Sequence, residues 1–172
     1  MKKLFLIATA LVLFIACQNK PQRYFEESAE IETVKAGIKA YEAQDWTKWK
    51  ANFADTAKIF HNTNKGATPN EMMTGMTQML SNFSSYGFSK KGGVSEMVID
   101  KDGKTWVNYW NNWNGTSKIT EKKLVIPVHL TIEFIEGKIV QEYAYYDTAG
   151  INKVIASEIA AQMETETEVS EE

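Results

Sequence analysis

The sequence contains a single cysteine, Cys17, among its 172 residues. One cysteine cannot form an intramolecular disulfide, so small scaffolds held together by disulfides are excluded. Only two histidines are present, His61 and His129, and their spacing matches no metal-binding motif. The sequence also lacks a glycine-rich loop of the kind that holds phosphates. We therefore expect neither a metal nor an organic cofactor.

Positive charge is also scarce, since 19 lysines and arginines stand against 22 aspartates and glutamates, which gives a net charge of −3. Residues 1–16 contain two lysines, so the net charge without them is −5, and the five glutamates of residues 164–172 account for that surplus. The remainder has no basic stripe, which argues against nucleic acid as a partner. Residues 164–172 are expected to form an acidic disordered tail.

The N-terminal apolar run is too short to cross a membrane. It covers residues 4–16, which is thirteen residues where a spanning helix needs about 20. It follows Met1-Lys2-Lys3, and a basic start before a short apolar core is typical of a secretory signal peptide. We therefore interpret residues 1–16 as a signal peptide.

The end of this segment, Phe14-Ile15-Ala16-Cys17, resembles the cleavage box of bacterial lipoproteins. The resemblance implies that Cys17 becomes the lipidated first residue, carries palmitate and attaches the protein to a membrane. Gln18 is similar to outer-membrane sorting signals, so we expect a bacterial outer-membrane lipoprotein that faces either the periplasm or the exterior. An ordinary signal peptide with a chance cysteine is the alternative. Residues 17–27 would then be a tether, and residues 28–163 are long enough for one domain with a core.

Three strand-like runs rich in β-branched and aromatic residues dominate this domain, at residues 104–115, 124–134 and 138–147. Short turns separate them, and consecutive strands joined by short turns pair antiparallel. Residues 57–61 and 94–99 are predicted to be further strands. We expect an α+β fold, in which a curved antiparallel sheet, a cone or roll, has the N-terminal helices packed on its concave face.

Four helices are predicted from caps and apolar stripes. One begins at about Ser28 with a stripe of helical spacing, and Asp45 and Asp147 each precede a further stripe that their side chains can cap. Thr68 begins a capping box with proline in the first turn, and Phe83 is expected to continue the apolar face of this helix. That face is rich in methionine, which favours core packing over a flexible lid above a cavity. Its methionines are Met72, Met73, Met76 and Met79.

Several short segments carry a family resemblance: Tyr41–Trp46 with Trp49, Phe53–Ile59, Trp113–Gly115, Gly137–Ile139 and Tyr145–Asp147. Together with the order of helix, short helix, strand, helix and curved sheet, they resemble the nuclear-transport-factor-2-like fold. That superfamily includes SnoaL-like cyclases and ketosteroid isomerase. The likeness spans roughly residues 28–156, and its motifs mark the fold more than the chemistry.

From the first helix to the first strand, this chain resembles ketosteroid isomerase in an alignment without gaps. The resemblance places that family's general-base aspartate on His61, its oxyanion tyrosine on Gly37 and its oxyanion aspartic acid near Leu130. Glycine and leucine cannot donate a side-chain hydrogen bond to a developing enolate. We therefore expect the fold without ketosteroid isomerase chemistry.

His61 is our candidate base in the cavity of this fold because imidazole titrates near neutral pH, and a surface histidine is the alternative. Glu142 shares strand parity with Ala144 and Tyr146, on the side that the resemblance makes cavity-facing, and could pair with His61. The alternative is a glutamate exposed at a sheet edge. Parity also predicts that Tyr109 lines the pocket, so the candidate ligand-binding residues are His61, Tyr109, Glu142 and Tyr146.

The opposite face of the sheet is expected to carry Trp106, Trp110 and His129. Exposed aromatic residues on a sheet suggest a partner. The partner would be a second copy, giving a homodimer through the sheet, or a flat ligand such as a sugar ring.

Two functions remain open from the sequence. The first, which the missing oxyanion donors and metal ligands favour, is a non-catalytic, lipid-anchored module of the cell envelope that binds a small apolar molecule or a partner. The second is a SnoaL-like acid–base enzyme, an isomerase, cyclase or dehydratase acting on an apolar polyketide- or steroid-like substrate. In it His61 and Glu142 share the proton transfer, and Tyr109 or Tyr146 orients the substrate. This second hypothesis needs His61 and Glu142 to face one cavity within about one water's reach of each other.

Overall fold

The computed structural model describes residues 21–170, without the side chains of residues 162 and 164–170. The expected signal peptide, Cys17 and the last two residues lie outside this range. The described part forms the following helices and strands: β1 Tyr24–Phe25, α1 Ala29–Glu42, α2 Trp46–Lys50, β2 Phe53–His61, α3 Pro69–Leu80, β3 Phe83–Phe88, β4 Val94–Ile99, β5 Thr105–Ser117, β6 Lys123–Ile135, β7 Lys138–Tyr146 and α4 Ala149–Ser170.

The strands form one seven-stranded sheet in the order β1-β4-β5-β6-β7-β2, and β3 pairs with the second half of β5. Every pair is antiparallel except β2 with β7, which is parallel. Bulges interrupt the pairing of β3 with β5 and of β6 with β7. Such bulges bend a sheet, and here they accompany its curvature. The predicted α+β fold with helices on the concave face of a curved sheet is confirmed, with one parallel pair that was not predicted.

The core lies between the concave face and the helices. Ile31 from α1, Ile59 from β2, Val107 from β5 and Ile132 from β6 are each at most 1% exposed. Burying one such aliphatic side chain contributes about 1.5–3 kcal/mol. Burial alternates along most of β6, so one face of that strand fills the core and the other faces away from it.

The helices begin where the sequence predicts. The Ser28 hydroxyl and the Asp45 carboxylate each accept a backbone N–H three residues later, at 3.1 Å. Thr68 and Glu71 form the complete capping box, in which the Thr68 N–H donates to the Glu71 carboxylate at 2.7 Å and the Glu71 N–H donates to the Thr68 hydroxyl at 3.2 Å. The Asp147 carboxylate accepts the Ala149 N–H at 2.8 Å, at the start of α4. These bonds satisfy N–H groups that have no partner inside the helix.

Two segments form strands that the sequence did not predict. Tyr24–Phe25, within the expected tether, pairs with β4, and Phe83–Phe88 pairs with β5. The prediction that Phe83 continues the helical face was therefore wrong. The side-chain amide of Asn82 donates to two carbonyls in the last turn of α3, which ends the helix before Phe83.

The last helix is longer than predicted. Its backbone is helical from Ala149 to Ser170. The acidic disordered tail at residues 164–172 stays a prediction. Glu158 anchors it, since one carboxylate oxygen accepts the Ser117 hydroxyl at 3.0 Å and the Ile119 N–H at 2.9 Å. Glu158 and Ser117 are 4% and 0% exposed, so this contact is buried. No helix within residues 21–170 is long and apolar enough to span a bilayer.

The outer sheet face carries the expected aromatic residues, but their ring faces are partly covered. Trp110 stacks on His129 with ring centroids 4.7 Å apart and planes 7° from parallel. The Trp106 indole N–H donates to Asp100 at 3.0 Å, and the Lys104 ammonium lies 5.8 Å from the centroid of the Trp106 ring. This arrangement argues against a flat platform for a sugar ring. The homodimer through this face stays a prediction.

Replacing Thr68 with alanine removes the cap of α3, and we expect it to lower the free energy of unfolding by about 1 kcal/mol. Thr74→Ala is the matched control, because the Thr74 hydroxyl bonds only to a carbonyl of its own helix and alanine favours helix. Urea denaturation of both variants measures the difference. Equal losses would contradict the role of the capping box.

Candidate functional site

A cavity of about 120 Å³ lies between the helices and the concave face of the sheet. A protein cavity of roughly 150 Å³ binds benzene, so this one accommodates a group of about that size. Its walls are mostly apolar, and Met76 and Met79 of α3 form part of them. The aromatic rings of the wall are those of Tyr41, Trp49, Phe53, Phe88, Trp113 and Tyr146.

The pairing of β2 with β7 brings polar side chains to one wall of this cavity. His61 is the last residue of β2 and pairs with Ala144 of β7. Side chains alternate along a strand, so Glu142, Ala144 and Tyr146 share one face of β7, and all three line the cavity with His61. Ala144 is fully buried and carries only a methyl group, which leaves room for the imidazole between Glu142 and Tyr146.

His61 therefore contacts both of its neighbours. Its Nε2 lies 3.3 Å from Oε1 of Glu142, and its Nδ1 lies 3.3 Å from the Tyr146 hydroxyl. Both separations exceed the usual 2.9 Å or so for such a hydrogen bond. The three side chains form a continuous hydrogen-bonded chain, Tyr146–His61–Glu142. This arrangement meets the geometric condition of the acid–base hypothesis.

Asn62 positions the hydrogen-bonded side chains Tyr146–His61–Glu142, and the sequence analysis did not identify this residue. Its side-chain amide donates to the Tyr146 carbonyl at 2.7 Å, and the Tyr146 N–H donates back to the amide oxygen at 3.2 Å. Its own N–H donates to the Ala144 carbonyl at 3.0 Å. Asn62 has φ of 51°, a left-handed conformation that asparagine tolerates better than most residues. An asparagine directly after a predicted strand was the available signal.

Glu142 is 8% exposed, so the alternative of an exposed edge glutamate was wrong. The reason is that β7 lies between β6 and β2 and is not an edge strand. Burial, and then the charge of Glu142, raise the pKa of Tyr146 above its usual value near 10. The Tyr146 hydroxyl therefore keeps its proton at neutral pH and can donate it.

Tyr109 does not line the cavity, so that prediction was wrong. It is buried at 6% exposure, and its hydroxyl accepts a hydrogen bond from the Asn111 amide at 2.7 Å. Phe88, which belongs to the unpredicted strand β3, lines the cavity and contacts the Tyr109 ring, with centroids 5.6 Å apart. Parity gave the correct face for Tyr109 but not the extent of the cavity.

Gly37 and Leu130 both line the cavity. The positions to which the family resemblance assigns the oxyanion donors thus lie at the expected wall, and neither side chain can donate a hydrogen bond. Tyr41 also reaches this wall, but its hydroxyl accepts the Trp113 indole N–H at 3.0 Å, and burial raises its pKa well above the usual value.

A metal centre finds no support in the described chain. Among the side chains that the structure describes, no group of three or more histidine, cysteine, aspartate or glutamate residues is arranged to hold a metal ion. The two histidines lie on opposite faces of the sheet, His61 at the cavity and His129 stacked on Trp110.

Comparison with solved structures identifies the fold. A putative polyketide cyclase from Streptomyces antibioticus superposes with a TM-score of 0.59 at 12% identity, over 74% of this chain and 98% of that one. The chain has the nuclear-transport-factor-2-like fold. A putative SnoaL-like polyketide cyclase from Shewanella denitrificans gives 0.58 at 11% identity, over 76% of this chain and 99% of that one. A hypothetical protein with a ketosteroid-isomerase-like fold from Catenulispora acidiphila, in complex with trimethylamine, gives 0.55 at 14% identity, over 70% and 88%.

Comparisons of the sequence alone identify no relative. No protein-family model matches it, and no curated protein matches it significantly. At identities this low the structural neighbours show the fold alone, so the chemistry must be argued from the residues of this chain.

The buried tyrosines predict an alkaline limit to stability. Burial raises the pKa values of Tyr41, Tyr109 and Tyr146 in the folded chain, whereas unfolded tyrosine titrates near 10. The unfolded chain therefore loses these protons first, and the free energy of unfolding should fall as pH rises above about 10. Urea denaturation across this range should show a shallower fall in Tyr146→Phe.

Tyr145→Phe is the control for that measurement, because Tyr145 is the next residue in the strand and is 53% exposed. Its substitution should leave the slope nearly unchanged. A Tyr146→Phe chain with the same slope as the unaltered one would show that the Tyr146 hydroxyl is not held protonated by its surroundings.

Proposed function

We propose that this domain is an acid–base enzyme of the isomerase, cyclase or dehydratase type, and that it acts on a compact, mostly apolar substrate. The hydrogen-bonded chain Tyr146–His61–Glu142 at the wall of an apolar cavity carries the proposal. A buried carboxylate, a histidine and a protonated phenol in one line are groups that can move a proton without water.

In this proposal the Nε2–H of His61 donates a hydrogen bond to Glu142, which leaves the lone pair of Nδ1 free to accept a proton. Tyr146 donates its hydroxyl proton to Nδ1 while its oxygen takes a proton from the substrate. The raised pKa of Tyr146 disfavours a free tyrosinate, so both transfers belong to one concerted step. Reversal of the step returns the proton to another atom of the substrate, which completes an isomerisation without any co-reactant.

The size of the cavity restricts the substrate. The cavity of about 120 Å³ holds a group of about one ring, so we propose that the reacting part of the substrate is one ring or a short branched chain. The complex of a structural neighbour with trimethylamine is a precedent for a small guest in this fold.

A second candidate is non-catalytic binding of a small molecule in the same cavity. Gly37 and Leu130 favour it, because they place no hydrogen-bond donor where related enzymes stabilise a developing negative charge. The two candidates differ in one observable, the exchange of a substrate proton.

The test begins with native mass spectrometry of the purified full-length chain, to identify a small molecule that copurifies. That molecule, or a panel of single-ring carbonyl compounds and small amines if the chain is empty, is then incubated with the chain in heavy water. We expect deuterium uptake, and we expect His61→Gln to slow it by about 10²–10⁴-fold because the proton acceptor is lost.

His129→Gln is the matched control, since it removes the other histidine from the outer face of the sheet. It should leave the exchange rate unchanged. Binding without any exchange above the solvent rate would decide against the enzyme and for the non-catalytic candidate. Equal loss of exchange in both variants would show that His61 is not the proton acceptor.

We also propose that the chain is anchored by lipid on Cys17, most consistently in a bacterial outer membrane. The motif Phe14–Cys17 supports it. Labelled palmitate should enter the unaltered chain and should be absent from Cys17→Ser, which should also appear in the soluble fraction. Equal labelling of both chains would overturn the anchor and leave the cavity chemistry untouched.

A further inference from the structure

Glu142 is the one charged side chain besides the titratable His61 in the described wall of the cavity. Its Oε1 pairs with His61, whereas its Oε2 has no hydrogen-bond donor within residues 21–170. No lysine or arginine of the described chain reaches this wall. Oε2 is not one of the enclosed polar atoms without a partner, so it is open to the cavity, where a positive charge or hydrogen-bond donors of a ligand can reach it.

His61 is the one group of the described wall that could balance the charge of Glu142, and it contacts only Oε1. No lysine, arginine or histidine of the described chain lies against Oε2, so a positive charge beside that oxygen has to come from a ligand.

The rest of the wall also suits a cation. Six aromatic residues line the cavity, and an ammonium group gains from the negative potential of any ring face that it contacts. The volume of about 120 Å³ fits a compact alkylammonium group, whereas the wall offers few of the oxygen ligands that a metal ion requires.

We propose that the ligand of this cavity carries a small organic cation, an alkylammonium group, which lies against the free oxygen of Glu142 and among the aromatic rings. This inference rests on the proposed function only for the location of the site. It adds the charge of the substrate, which neither the fold nor the acid–base chemistry requires.

Two nearly isosteric probes test the charge directly: choline, and 3,3-dimethylbutan-1-ol, in which carbon replaces the ammonium nitrogen. Isothermal titration of each into the full-length chain measures the two dissociation constants. We expect choline to bind at least about tenfold more tightly, since a cation–π contact and an ion pair together favour it by that order. This comparison needs no variant.

Glu142→Gln keeps the length of the side chain and can still accept the Nε2–H of His61, so it removes the charge alone. We expect the preference for choline to fall to about threefold or less, from the aromatic contacts that remain. Glu142→Asp keeps the charge and should retain most of the preference. Glu136→Gln, an equal change of net charge at an exposed turn, should leave it unaltered.

Equal or tighter binding of the neutral alcohol would overturn the inference, as would the absence of binding by both probes. An unchanged preference in Glu142→Gln would overturn the role of the carboxylate. These outcomes are independent of proton exchange. If the chain prefers choline but exchanges no proton, the cation inference holds and the proposed enzyme activity is contradicted. If the chain exchanges protons but prefers the alcohol, the activity holds and the cation inference is contradicted.

Discussion

The parallel pairing of β2 with β7 is the interaction on which the candidate site depends. Side chains alternate along a strand, so a slip of one residue in this pairing would turn His61 to the outer face of the sheet. Both ends of the pair are held. The Ile139 N–H donates to the Asn52 carbonyl at 2.9 Å at one end, and the Asn62 side chain bonds twice to the backbone of Tyr146 at the other. The geometry of the site thus depends on hydrogen bonds made to the backbone of β7.

Most of the fold could be predicted because its signals are local. Caps such as Ser28 and the Thr68 box lie next to the helices that they start, and the three long strands follow one another with short turns. The missing parts depend on distant partners. Phe83–Phe88 contains serines and a glycine, and it is a strand only because β5 pairs with it, whereas Tyr24–Phe25 depends in the same way on β4.

The site was predictable to the extent that strand parity determines it. Parity and the family resemblance placed His61, Glu142 and Tyr146 on one side of the sheet. They could not show that Phe88 lies between the cavity and Tyr109, because Phe88 belongs to β3, a strand that the sequence did not predict. The sequence did not predict the role of Asn62, because that role depends on its left-handed backbone conformation. Distances within the site, and hence the volume that restricts the ligand, need the assembled structure.

Gly37 illustrates how the cavity lowers the stability of the fold. A glycine inside a helix is less stable than alanine by about 0.5–1 kcal/mol, and in α1 an added methyl group would meet only the Asn52 amide, at 3.4 Å. The backbone would therefore accept alanine, yet Gly37 and Asn52 both border the empty space. Directed evolution for heat resistance would select alanine at position 37, and the added methyl group would narrow the cavity. Selection for robustness and selection for ligand binding thus compete for the same methyl group.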